Sequence, residues 1–184
     1  MSEYKYPHQS HITISELMLP SHSNFSGKIH GGYILSLMDQ IAFACAAKYS
    51  GYYAVTASVD KVDFLQPIEV GELVTMKACV NYVGRTSMVV GLRVESENIT
   101  TGEKKHCNSS YFTMVAKDNE GKSVQVPGLI LDNEAAMRRF VRSAMRQIEG
   151  KARRAKFTQK SFKPDEHIEF LKDFNVKVEL FEIK

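Results

Sequence analysis

Apolar and polar positions along this chain change period several times, and each change marks an element. His11-Ile12-Thr13-Ile14-Ser15-Glu16-Leu17-Met18 alternates, the period of a half-buried strand. Pro20 to His30 is dense in turn formers and reads as a loop. From Gly31-Gly32 the pattern turns helical: Ile34 to Ala47 is apolar on almost every face, and Asp39 is its only acidic side chain. A helix apolar all round is buried, and this run is too short and interrupted for a membrane span, which needs about 20 apolar residues. Gly51 stands where a C′ glycine is expected. At roughly 100° per residue, Gly32, Ser36 and Asp39 share one face. The pattern predicts a buried central helix with a carboxylate in its middle, whose charged form desolvation disfavours.

Four β-branched, aromatic-rich runs follow: Ala54 to Leu65, Glu72 to Val83, Ser87 to Asn98 and Lys104 to Ala116. Their hairpin-sized connections favour an antiparallel sheet. The fold class is therefore α+β, a long helix wrapped by a five-stranded antiparallel sheet. One sheet covers such a helix only by curling about it, or a second copy closes the other side, so a dimer is expected. After Pro127-Gly128 a second helix starts with Asp132 or Asn133 as N-cap. Met137, Phe140, Val141, Ala144, Met145 and Ile148 form its apolar face, with arginines opposite. Phe174 to Leu180 reads as a last short strand. The chain divides into a domain over 8–131 and a basic helix with a tail over 132–184.

Charge sharpens that division. The net charge of +3 arises from a nearly neutral stretch 1–131, a basic stretch 132–163 and an acidic end 164–184. A discrete basic segment implies an anionic partner. It lacks interleaved aromatics and any recognition motif, which argues against nucleic acid. The N-terminus has no charged region followed by an apolar one, so no signal peptide is expected. Cys45, Cys79 and Cys107 have no CxxC spacing and suit reduced thiols in a cytoplasmic protein. The six histidines show no ligand spacing, so no metal site is expected.

Three ordered blocks carry a resemblance. Asn24-x-x-Gly27-x-x-His30-Gly31-Gly32 leads to Met38-Asp39. Thr56-Ala57-Ser58-Val59-Asp60-Lys61-Val62-Asp63-Phe64 precedes Pro67-Ile68-Glu69-Val70-Gly71-Glu72-Leu73-Val74. Val83-Gly84-Arg85-Thr86-Ser87-Met88 completes the set. Together they resemble the hot-dog-fold acyl-CoA thioesterases, in particular the bacterial and cytosolic acyl-CoA hydrolase branch. The likeness runs from about Ser10 to Pro127 and more loosely over the basic helix; the segment after Lys163 matches nothing. It implies acyl-CoA as substrate, Asn24 and Asp39 as a catalytic pair drawn from different protomers, and hence an obligate dimer. It also implies a homohexamer built as a trimer of dimers, raises a nucleotide effector as a further partner, and needs no cofactor beyond the coenzyme A that enters with the substrate.

Thioester hydrolysis needs a base or nucleophile, and a donor where charge builds on the carbonyl oxygen. Asp39 is the candidate, as a base that activates water or a nucleophile that forms an anhydride; the alternative is a buried carboxylate that caps a loop or pairs with an arginine. Gly31 and Gly32 sit where helix N–H groups lack partners, a candidate oxyanion hole or simple helix initiation. Asn24 donates to the carbonyl, orients the water or closes an Asx-turn, and His22 and His30 flank it. For coenzyme A the resemblance implies contacts from Arg85, Thr86 and Ser87, and a pantetheine channel along Val59 and Asp60. Arg153, Arg154 and Lys156 are further cationic candidates, or a solvated helix face. Cys45, in an apolar helix with no adjacent histidine, reads as an inert thiol. Two other functions fit the same fold: a non-catalytic acyl-CoA-binding regulator, disfavoured by Asn24 and Asp39 occurring together, and a hot-dog acyl-CoA dehydratase, which would want an Asp/His pair.

Overall fold

The alternating runs pair into a curled antiparallel sheet, and the apolar helix lies across it. A computed structural model describes residues 3–156, 169 and 174–177, and only the backbone at 151 and 153–156. The elements are β1 (Tyr4–Lys5), β2 (Ile12–Leu17), α1 (Gly31–Ser50), β3 (Tyr53–Val59), β4 (Glu72–Val83), β5 (Ser87–Asn98), β6 (Lys104–Lys117), β7 (Gly128–Leu129) and α2 (Glu134–Lys156). Five strands form one sheet in the order β2-β4-β5-β6-β3, every pair antiparallel. β2 and β3 occupy opposite edges although only α1 and its flanking loops separate them in sequence. The helix must therefore traverse the sheet, and it packs on every strand of it.

The core forms along that crossing. Met38, Ile41, Ala42, Cys45, Ala46 and Tyr49 of α1 are fully enclosed against the even-numbered side chains of the strands, among them Val74, Met76, Val90, Phe112 and Met114. Each large apolar side chain so buried contributes about 1.5–3 kcal/mol. At the C-terminal end Gly51 adopts φ +77°, the left-handed value that a side chain disfavours, and its N–H bonds Ala47 O at 2.8 Å.

Four expectations need correction. First, α1 is not buried all round: Gly32, Ser36, Asp39, Gln40 and Phe43 form an exposed stripe, because one curled sheet covers one side of a helix. Second, β3 ends at Val59 rather than Leu65. Its register against β6 shifts between Thr56 and Ser58, and this bulge bends the edge strand away from regular pairing. Third, the expected apolar face of α2 is largely solvent-facing: Met137, Val141, Met145 and Ile148 are exposed. Small residues make the contact instead, with Ala136 and Ser143 buried and the Phe140 ring 5.1 Å from that of Tyr82. Fourth, of the strand expected over Phe174–Leu180, residues 174–177 are described and form a turn, with Val176 N–H bonded to Phe174 O at 2.8 Å. Of the two N-cap candidates for α2, Asn133 takes the role, its Oδ1 accepting from Ala136 N–H at 2.9 Å.

A two-stranded parallel pair, β1 with β7, was not legible because two residues carry no periodicity. The chain falls into two compact units, Met1–Ala144 and Met145–Lys184. The first holds the sheet, α1 and the opening turns of α2; the second holds the rest of α2 and the tail.

Candidate active site

Asn24 sits in a short hairpin loop between the bridged residues Ser23 and Ile29. Its backbone N–H bonds Lys28 O at 2.7 Å, and its C=O accepts from Gly27 N–H at 3.0 Å. Gly27, at φ +77°, supplies the left-handed residue this turn requires. The Asn24 Oδ1 accepts from Ser26 N–H at 2.9 Å, Ser26 Oγ at 2.7 Å and Lys28 N–H at 3.2 Å. Backbone donors on that atom fix which end of the amide is oxygen. The Asx-turn and the donor role are thus compatible: the turn consumes Oδ1, and Nδ2 has no partner among the described residues.

The loop leads straight into α1. His30 is the N-cap, and its Nδ1 accepts from Gly32 N–H at 2.9 Å. That bond needs the neutral ring with its proton on Nε2. A side chain at Gly32 would collide with the His30 ring, 2.9 Å from the Cβ position. Of the expected oxyanion pair, Gly32 has therefore already spent its N–H on the cap, whereas the Gly31 N–H lacks a partner among the described residues. The His22 ring stacks on Tyr33 of α1 with centroids 3.9 Å apart, and Tyr33 OH donates to Glu16 on β2. Both histidines serve to seat the loop on the helix.

Asp39 lies eight residues into the helix, about 12 Å along its axis from Gly31. Its side chain is exposed in the single chain. This corrects the burial expected for it, for the same reason that the whole stripe is open. Thr56 Oγ1 donates to Asp39 Oδ1 at 2.6 Å. Thr56 stands on β3 at the edge of the bulge, which sets the strand beside the helix here. By sequence alone Thr56 carries no role, because a strand threonine has no signature until a carboxylate is seen opposite it. Phe43 and Tyr53, with ring centroids 5.2 Å apart, and Val59 leave apolar surface exposed on these same elements.

The remaining candidates are more dispersed. The Asp60 main chain is used internally, its N–H bonding Tyr111 O at 2.9 Å and its C=O accepting from Ser110 Oγ at 3.4 Å. Arg85 and Thr86 lie in the β4–β5 turn and Ser87 opens β5: Arg85 O takes Val126 N–H at 3.1 Å, Thr86 O takes Ala116 N–H at 3.0 Å, and the Arg85 side chain is exposed. Arg153, Arg154 and Lys156 lie on α2, with side chains outside the described residues. Cys45 is fully buried, and burial pushes its thiol up to about 12, which leaves it in the unreactive protonated form. No group of three or more His, Cys, Asp or Glu able to hold a metal occurs among the described residues.

Within one chain no described contact joins Asn24 to Asp39; one stands at the start of α1, the other in its middle. What the arrangement offers is two separate groups, a fixed amide with a free N–H donor and a carboxylate held at one oxygen.

The thioesterase superfamily model matches residues 26–103. The chain is 45% identical to Protein VdlD of Helicobacter pylori over 129 residues, 70% of this chain and 74% of that one. It is 35% identical to an uncharacterized acyl-CoA thioester hydrolase, YkhA, of Bacillus subtilis, covering 72% and 77% of the two chains. Among solved structures, an apo-hexameric acyl-CoA thioesterase superposes with a TM-score of 0.80 at 36% identity, over 83% of this chain and 98% of that one. The Staphylococcus aureus acyl-CoA hydrolase, in complex with butyryl coenzyme A, coenzyme A and coenzyme A disulfide, gives a TM-score of 0.77 at 30% identity, over 92% and 99%. Further structures of that enzyme replace an asparagine, an aspartate or a threonine by alanine. Those three residues stand fifteen and seventeen positions apart in order, the separations of Asn24, Asp39 and Thr56 here. On sequence and fold together, this chain belongs to the hot-dog acyl-CoA thioester hydrolases of the thioesterase superfamily.

Proposed function

We propose that the protein hydrolyses acyl-CoA thioesters to a free carboxylic acid and coenzyme A, with each site assembled from two protomers. Asn24 of one chain donates its Nδ2–H to the thioester carbonyl, and the Gly31 N–H at the positive end of α1 supports the charge that develops there. Asp39 of the other chain takes a proton from water through Oδ2, while Thr56 holds Oδ1. The water oxygen bonds to the carbonyl carbon, the tetrahedral intermediate collapses, and the C–S bond breaks with the thiolate accepting a proton as it leaves. The observation that carries this reading is the Thr56–Asp39 hydrogen bond on an exposed stripe of an otherwise enclosed helix. A lone exposed carboxylate gains little from such order, whereas a base that must present one chosen oxygen gains much. The matching separations in the Staphylococcus aureus variants support it.

A second copy laid against the stripe would cover Phe43, Tyr53 and Val59 and shield Asp39 from bulk water. The hexameric relatives support a trimer of such dimers. Arg85, Thr86 and Ser87 are proposed to meet the coenzyme A phosphates, and Val59 and Asp60 the pantetheine arm. Arg153, Arg154 and Lys156 are proposed, independently, as cations for an anionic ligand. Coenzyme A enters with the substrate, so no separate cofactor is required, and nucleotide regulation is tested by adding nucleotides to the assay. No described helix is long and apolar enough to cross a membrane; the three free thiols suit a cytoplasmic setting.

The test is release of coenzyme A thiol from acyl-CoAs of graded chain length, with wild type and Asp39→Asn side by side. Turnover lost in the variant supports the reading. Binding without turnover in the wild type would replace it by a non-catalytic acyl-CoA sensor.

A further inference from the structure

Asn24 is ordered by its own loop, and that loop rests on a turn held by a buried carboxylate that the reaction never touches. We propose that Glu72 is a positioning residue for Asn24: clamped by Lys105, its carboxylate fixes the Glu69–Glu72 turn on which the Asn24 loop is seated. The inference rests on the reading of Asn24 as the group that binds the thioester carbonyl.

Every link is a described contact. Glu72 opens β4 and points to the helix side of the sheet, buried in line with Val74 and Met76. Lys105 Nζ of β6 meets its Oε1 at 2.8 Å, and its Oε2 accepts the Glu69 N–H at 3.0 Å. The Glu72 N–H returns to Glu69 O at 3.3 Å, closing the turn, with Gly71 at φ +88° supplying the left-handed residue. From that turn two ties reach the loop: Ile29 N–H to Ile68 O at 2.9 Å, and the Lys28 ammonium to Glu69 Oε1 at 2.5 Å. Lys28 then grips Asn24 from both sides, its C=O taking the Asn24 N–H and its N–H donating to Oδ1.

Burying a carboxylate at a strand end is costly, and an apolar side chain of similar volume would close the core more cheaply. What the apolar side chain lacks is an acceptor for the Glu69 N–H. Burial alone would raise the Glu72 carboxyl, yet the bonds from Lys105, the Glu69 amide and Ser96 bring it below its ordinary value, so the acceptor is charged at neutral pH. The Lys28–Glu69 pair, by contrast, is open to solvent on both sides, and screening leaves such pairs little strength. The buried clamp, rather than the surface pair, is the anchor.

A double-mutant cycle of Glu72→Met and Asn24→Ala separates positioning from general loosening. Glu72→Met should lower kcat about ten- to a hundredfold with KM within about threefold, since misplacing a transition-state donor costs turnover. In the Asn24→Ala background the same substitution should cost nothing further. Glu72→Gln, which keeps one acceptor for the Glu69 N–H, should recover an intermediate rate. An equal loss in both backgrounds would overturn the proposal. Should Glu72→Met fail to fold, the cycle runs with Glu72→Gln: a loss of about threefold that vanishes in Asn24→Ala upholds it. A wild-type rate, or a loss repeated in Asn24→Ala, overturns it. An unchanged rate in Asn24→Ala alone is a different failure, which removes Asn24 from the chemistry.

Discussion

In the loop from Ser23 to Ile29, Asn24 is held at its N–H, its C=O and its Oδ1 by groups of the same chain. On the face of α1 around Asp39 a single hydrogen bond from Thr56 does the holding, and the apolar rings alongside are left uncovered. The two groups differ in how the chain holds them. A donor for a developing oxyanion must be rigid before substrate arrives, because reorganisation at the moment of reaction forfeits its benefit. Local hydrogen bonds confer that rigidity within one chain. The proposed base needs a dry setting as well as a position, and in the proposed dimer the second chain supplies it.

The comparison can be broken at either half. Asp39→Asn should lose roughly 10²–10⁴-fold in kcat while acyl-CoA binding persists, measured by thiol release beside a binding titration. Asn24→Ala should lose roughly 10²–10³-fold, the loss expected for one oxyanion donor. Mixing the two inactive proteins after dissociation sharpens the point. Where sites are shared across protomers, half the dimers are mixed and each carries one intact site, so about a quarter of wild-type activity returns; no recovery would place both residues in one chain's site. Thr56→Val should cost about tenfold in kcat, the worth of a hydrogen bond to a charged group, with little change in KM.

The smallest effect concerns acid stability. The Glu72 carboxyl titrates below its ordinary 4.5 in the folded protein. Its contribution to stability is therefore complete above that value and is lost as pH falls through the lower, folded one. Thermal melts from about pH 7 to about pH 3 should show a shallower acid loss in Glu72→Gln than in wild type.

Much of the fold was legible because long elements repeat their pattern often enough to be read. β4 and β5 have the bounds that alternation indicates, and Gly51 ends α1 as its position suggests. β3 is shorter than the apolar pattern indicates because the bulge after Thr56 is a property of pairing with β6, which alternation alone does not carry. The apolar face of α2 is mostly exposed although Phe140 packs on Tyr82, because an amphipathic pattern identifies a face without saying what lies against it.

For the candidate site the division is similar. The sequence by itself determined that a carboxylate would sit in an apolar helix, that glycines would open that helix, and that Asn24 would lie in a tight loop before it. These follow from side-chain chemistry and local backbone preference. Only the tertiary structure decided that Thr56 meets Asp39 across seventeen residues, that His30 rather than a substrate takes the Gly32 N–H, and that Glu72 underpins the Asn24 loop. Each is a contact between groups distant in the chain or set by a rotamer, and such contacts exist only once the sheet has brought its strands into register.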